Sequence, residues 1–289
     1  MQGIKYINKE IPVLESLCTI AQVYQETSIV KIQEVRFGVV RTRDYLAGLS
    51  RIYSELKVAR SVELSQLAKT KISSSAVSGK IQKTLIVLLS ANTKLYGAIV
   101  QDVYRLFIES LKNEPNADIM IVGRLGERLF KETGMDRQHL FFEVPDTNLQ
   151  TQDLEPIIFH IVKYEKVIVF HGKFYNLMTQ RAIRANITGE SIDEGKSVPV
   201  DQGKKRFLFE PNLEKLIQFF ETQIFATLFR QTVHESELAR YASRVNAMEE
   251  SLQFIKRRQK NLTDEKRRFV RLRQQKKQLE RLSGMSLWQ

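Results

Sequence analysis

The chain holds one cysteine, Cys18, which excludes an internal disulfide framework and any metal site made of several thiolates. A reducing compartment fits that usage. Long apolar runs are also missing: the longest, Leu85 to Leu89 with its flanks, falls far short of the roughly 20 residues that span a bilayer. The amino terminus carries no apolar core of a signal peptide. The expectation is a soluble protein able to sit beside a membrane within a complex. Helix breakers are absent from one long stretch, since the 72 residues from Asn212 to Ser283 contain neither Gly nor Pro. As a single helix that stretch would be roughly 108 Å long, more than a compact globule can bury. Acids are scarce where bases are dense. Between Lys256 and Arg281 there are 12 Lys and Arg against three acids, which places +9 of the net +12 there.

What is present in the glycine-free stretch is a seam. Leu238, Tyr241, Val245, Met248, Leu252, Ile255, Gln259, Leu262, Lys266 and Phe269 follow one another at alternating steps of three and four. A repeat averaging 3.5 keeps one stripe facing a partner helix, which is the pattern of a coiled coil. A second, weaker seam opens after Pro12: Leu14, Leu17, Ala21, Tyr24, Ser28, Lys31, Val35, Gly38, Thr42, Tyr45, Leu49, Ile52 and Leu56. Val13 to about Ala68 is therefore expected to be helical and to pair antiparallel with the carboxy-terminal helix.

Between the helices, Thr84 to Pro211 changes character. Strands are expected at Thr84–Ser90, Asp118–Gly123, Leu140–Val144 and Lys166–Phe170, and helices at Ile99–Leu111, Glu127–Thr133 and Asp153–Tyr164. Such alternation indicates βαβ units and a mainly parallel, Rossmann-like sheet covered on both faces. Leu177–Thr188 and Lys205–Phe209 read as a closing hairpin across the polar Gly189–Gly203 loop, and the Ser-rich Lys71–Lys80 reads as a linker. The fold class is α/β plus a long antiparallel coiled coil: a helix at 1–70, an α/β domain at 84–211 and a helix at 212–289.

No catalytic, cofactor or metal constellation stands out. His139, His160, His171 and His234 lack metal-ligand spacing and read as structural or exposed. Gly195, Lys196 and Ser197 resemble the end of a phosphate loop, but Glu190 stands where its first glycine belongs. Gly123 and Gly126 follow a strand without the three-glycine dinucleotide spacing, so they read as a strand end that lets a helix pack close. The basic rod admits three readings: a solvated face, a groove for nucleic acid, or a surface for acidic protein loops. Its sign bias favours an external anion, and its single aromatic between Lys256 and Arg281, Phe269, offers little to stack on bases.

Along the carboxy-terminal helix Arg244, Ala247 and Met248, then Leu262 and Thr263, then Glu280, Ser283 and Gly284 stand in one ungapped register. In these residues the sequence resembles the gamma subunit of the rotary F-type ATP synthase, matching the family's Ala-Arg-x-x-Ala-Met segment, its Leu-Thr step and its closing Glu-x-x-Ser-Gly. In the α/β domain Ser90, Leu95 and Gly97 fall on Ser-Ser-Asp-x-Gly-Leu-Cys-Gly, with Asn92, Lys94 and Tyr96 replacing its Asp, Gly and Cys. Gly123, Gly126 and Phe130 fit Gly-x-x-Gly-x-x-Phe, Lys173 and Phe174 fit Asn-Lys-Phe, and Ile20 and Lys31 fall on the amino-terminal helix pattern. The resemblance implies a non-catalytic central shaft, without cofactor. It would couple ion-driven rotation of a membrane rotor ring to ATP synthesis or hydrolysis in a ring of alpha-like and beta-like subunits, and would also hold an epsilon-like subunit. It further implies a peripheral place on the cytoplasmic side of a membrane. Where the family carries an Arg-Gln pair that engages a beta-subunit loop, this chain has Val270 and Arg271. Arg267, Arg268, Arg271, Arg273 and Lys276 are accordingly the expected ring contacts. The alternatives are a stand-alone basic coiled-coil adaptor binding nucleic acid, and a nucleotide-binding enzyme built on the α/β domain.

Overall fold

The structure is a computed structural model that describes residues 2–67, 81–135, 137–187 and 213–285. Along the chain run α1 (Gln2–Leu67), β1 (Ile81–Leu89), α2 (Ile99–Asn113), β2 (Asp118–Val122), α3 (Arg124–Glu132), β3 (His139–Phe142), α4 (Thr151–Ile161), β4 (Tyr164–Phe174), β5 (Gln180–Asn186) and α5 (Leu213–Met285). The 71–80 linker, the 189–203 loop with its Gly195, Lys196 and Ser197, and the strand expected at 205–209 lie outside the described residues. Two compact units emerge: Met1–Val30 with Arg244–Gln289, and Lys31–Ser243.

In the larger unit the strands form one sheet of order β3-β2-β1-β4-β5. The first four are mutually parallel, and β5 runs antiparallel to β4. β5 falls within the strand expected at Leu177–Thr188, whose expected hairpin partner at 205–209 lies outside the described residues. β5 turns back onto β4 itself through Tyr175–Thr179, where Thr179 O accepts the N–H groups of Tyr175 and Asn176 at 3.3 Å.

Strand side chains alternate faces with period two, so a strand buried on both sides must be apolar throughout. Leu85, Val87, Met120, Val122, Val167 and Val169 point to one face, under Leu154, Ile157 and Ile161 of α4 and Phe229 and Val233 of α5. Ile86, Leu88, Ile119, Ile121, Ile168 and Phe170 point to the other, under Val103, Phe107 and Leu111 of α2 and Phe130 of α3. Phe107 stacks edge-on to Phe170 at 5.8 Å and lies 6.3 Å from Phe130. Away from the sheet, Leu49, Tyr53 and Leu56 of α1 pack with Leu213, Ile217 and Ile224 of α5. The Tyr53 hydroxyl donates to Glu221 at 2.9 Å.

In the smaller unit α1 and α5 pair antiparallel. Ile7 and Leu14 pack with Ile255 and Leu262, and Ala21 packs with Met248 and Leu252. Arg258 donates to both Glu10 oxygens, at 2.8 and 3.2 Å, and Gln25 to Glu249 at 2.9 Å. Those hydrogen bonds from Arg258 hold the Glu10 carboxyl below its usual pKa. This pairing also explains why α1 begins at Gln2, ahead of the expected start after Pro12. A proline inside a helix costs about 3 kcal/mol, but each apolar side chain buried fully, as Ile7 is, returns about 1.5–3 kcal/mol.

The seam of α1 is a further correction. The buried stripe steps Ile7, Ile11, Leu14, Cys18, Ala21, Gln25, Ser28, Ile32, Val35, Val39, Thr42, Leu46, Leu49, Tyr53 and Leu56, each buried or half-buried. Half of the expected positions hold, while Leu17, Tyr24, Tyr45 and Ile52 are exposed and their neighbours Cys18, Gln25, Leu46 and Tyr53 face inward. A 3-4 and a 4-3 phase have the same average period, and only the partner helix distinguishes them.

Candidate functional site

In an open α/β sheet the crevice beyond the carboxyl ends of the strands, where strand order reverses, is the usual ligand site. Here that reversal falls between β1 and β4, and the space is taken by α5. Arg240 Nη1 donates to Ser90 O at 2.5 Å and lies 3.3 Å from Asp146 Oδ1. The Tyr241 hydroxyl donates to Asp146 O at 2.8 Å, and its ring meets Tyr96 edge-on at 6.2 Å. Glycines let the backbones approach: a Cβ on Gly97, whose φ is +61°, would lie 2.5 Å from Ser243 Oγ, and one on Gly172 would lie 3.0 Å from Ala239 Cβ. A cavity of about 20 Å³ lies beside Ser90, Glu237 and Arg240.

Gly123 and Gly126 do what the sequence suggests at a strand end. Gly123 has φ +101° and sits against the Ala91 backbone, while a Cβ on Gly126 would come within 2.7 Å of Ser90 Cβ. They bring α3 close to the loop after β1.

The histidines serve packing. His139 meets Phe130 edge-on at 4.9 Å, and His160 lies among Phe142 and Tyr164. His171 is 1% exposed, with Nδ1 3.0 Å from Gly172 O. Burial pushes the pKa of His160 and of His171 down. His234 Nδ1 stands 3.5 Å from the buried Glu237 without hydrogen-bond geometry. Among the described residues no group of three or more His, Cys, Asp and Glu is arranged to hold a metal, and no helix is long and apolar enough to cross a membrane.

Leu238, Tyr241, Val245, Met248, Leu252, Ile255 and Leu262 are all buried. They do not share one environment. Tyr241 packs into the sheet's core beside Tyr96 and Ile99, whereas Met248, Leu252, Ile255 and Leu262 face α1. From Arg267 to Leu282 every side chain is exposed, including Arg267, Arg268, Arg271, Arg273 and Lys276. This stretch holds seven cations against one acid, Glu280. Arg267 lies 3.5 Å from Asp264, but Arg267–Arg271, Arg273–Lys277 and Lys277–Arg281 set like charges four apart, which destabilises an isolated helix. Phe269, Val270, Leu272, Leu279 and Leu282 are 41–66% exposed among them. The stretch thus combines exposed apolar side chains with like charges at four-residue spacing.

The family model for ATP synthase matches residues 3–280. The chain belongs to that family. It is a divergent gamma-type member: the ATP synthase gamma chain of Malacoplasma penetrans is 20% identical, across 92% of this chain and 96% of that one. The gamma chain of Mycoplasma mycoides is 21% identical over 86% of each. In fold the gamma-type chain resembles the central stalk of the Tetrahymena thermophila mitochondrial ATP synthase, with a TM-score of 0.57 at 18% identity, covering 80% of this chain and 98% of that one. It likewise resembles the rotor of the Euglena gracilis enzyme, with a TM-score of 0.58 at 15% identity, covering 93% and 97%.

Two of the residues that carry the resemblance, Arg244 and Thr263, make contacts within the chain. Arg244 is 7% exposed, with its guanidinium 5.5 Å from the Tyr24 ring centre. Thr263 Oγ1 turns back to Gln259 O at 2.8 Å. Arg240 and Asp146 carried no sequence signal, because the contact joins residues 94 apart. The glycines at 97 and 172 are the only local hint that something passes close by.

Proposed function

We propose that the chain is the non-catalytic central shaft of a rotary F-type ATP synthase or ATPase, peripheral to the membrane on its cytoplasmic side. Arg267, Arg268, Arg271, Arg273 and Lys276 would meet acidic groups of a ring of alpha-like and beta-like subunits. The α/β domain would meet an epsilon-like subunit and the membrane rotor ring. The observation that carries this reading is the exposed stretch Arg267–Leu282, a helix that leaves the seam with cations and leucines uncovered. A positive rod among negative loops is attracted at every angle without one deep locking minimum.

Coupling then follows from differential contact. An asymmetric helix that presents different side chains to each of three catalytic subunits biases each toward a different nucleotide state, whereas equal contacts would shift none. The reading needs no bond chemistry in this chain, and α5 seated across the switch-point crevice agrees with it.

Co-purification of the tagged full-length chain tests the proposal. Recovery with alpha-like and beta-like subunits is the expected result. Recovery without them, with binding to RNA or DNA that falls steeply with salt, points to the nucleic-acid adaptor instead.

A further inference from the structure

We propose that Arg240 and Asp146 are the positioning pair of a torsional lock, which holds α5 against turning about its own axis where twist passes along the helix. The inference rests on the shaft reading and names the joint on which that reading depends. A shaft works only if turning the domain turns the helix. Close packing of α5 against the core resists rolling sterically, but apolar attraction is non-directional and fixes the rotational setting of the helix less sharply than hydrogen bonds do. Hydrogen bonds are directional, and a bond near 3 Å is lost within about an ångström of displacement.

The lock concentrates such bonds on two adjacent residues of α5. Arg240 holds Ser90 O and Asp146 Oδ1, and Tyr241 holds Asp146 O. Asp146 is itself fixed, because it accepts the N–H groups of Asn92 and Thr93 and the Thr93 hydroxyl at 2.9–3.0 Å. Asn92 extends the network, donating to Val144 O at 2.7 Å and accepting the Arg124 N–H at 3.0 Å. The loops after β1 and β3 and the start of α3 are thereby tied to one turn of α5.

Burial gives the pair its strength. The Arg240 and Asp146 side chains are 12% and 10% exposed, so salt screens them little and loss of either strands the other. The notch is also cut at backbone level, with Gly172 against Ala239 and Gly97 against Ser243. Ser243 is the last α5 residue of the larger compact unit.

The test uses the assembled complex with Arg240→Gln, Arg240→Lys and Tyr241→Phe chains. Arg240→Gln is expected to assemble and hydrolyse ATP while amide exchange at 239–243 and 90–97 rises about tenfold, the scale of one lost charge-assisted bond. The number of ions pumped per ATP is expected to fall in the same complexes, and Arg240→Lys is expected to restore part of it. Raised exchange with an unchanged ion-to-ATP ratio overturns the proposal, because the pair would then be only a structural clamp. Unchanged exchange overturns it as well. Should Arg240→Gln fail to assemble, Tyr241→Phe removes a single O–H and is read by the same two measurements. Failure of the unaltered chain to join a catalytic ring refutes the shaft reading itself, so the two failures are distinct.

Discussion

Between Phe229 and Ser243 no side chain of α5 is exposed, whereas between Arg267 and Leu282 every one is. Both stretches are helix, and neither contains Gly or Pro. The first is held by the chain's own core, by Arg240 and Tyr241, and by glycines that admit its backbone. The second has like charges at four-residue spacing and uncovered leucines. Regular helix therefore reports nothing about what stabilises it. The proposed ring contact rests on the second segment, which its own fold leaves uncovered against helix-pair electrostatics.

Breaking the buried side of this comparison should cost most. Phe107→Ala empties the centre of the sheet's core and is expected to destabilise the larger unit by about 3–5 kcal/mol in urea unfolding. The seam should respond less, because α5 there is covered along one stripe only: Leu252→Ala is expected to cost about 2 kcal/mol, with faster amide exchange confined to the paired helices. A smaller effect is set by pH. His171 is buried neutral with its pKa pushed below the ordinary 6.5, so below about pH 6.5 the unfolded chain takes up a proton first. Stability from this group is complete above that pH and declines as pH falls through it toward the folded pKa. Melting temperatures across that range should show the decline, and His171→Gln should flatten it while lowering the plateau.

Much of this was legible in the residues. The β-rich runs at 84–90, 118–123 and 166–170 fall on β1, β2 and β4, and the helix at 99–111 begins at the observed Ile99. Runs such as Leu85–Leu89, apolar on both faces, require a covered parallel strand. The seam from Met248 to Leu262 was legible because Met248, Leu252, Ile255 and Leu262 keep the three-four rhythm across the polar Gln259. In α1 it was not, since Leu17 and Cys18, or Tyr45 and Leu46, are adjacent candidates, and the more apolar or larger neighbour proved to be the exposed one. The amino-terminal extension through Pro12 was hidden for another reason. Its compensation comes from Ile255, Arg258 and Leu262, more than 240 residues away. The lock at Arg240 has the same character, joining distant residues with no local pattern.

The contrast between the two stretches of α5 is tested most directly by one variant measured in two settings. Replacing Arg267, Arg268, Arg271 and Arg273 together by Gln removes charge from a fully exposed helix. The isolated chain is expected to keep its stability to within about 0.5 kcal/mol, as exposed substitutions do. In the reconstituted complex the same variant is expected to assemble weakly or to lose ATP-driven ion pumping. Unchanged hydrolysis and unchanged ion coupling in that complex would contradict the account.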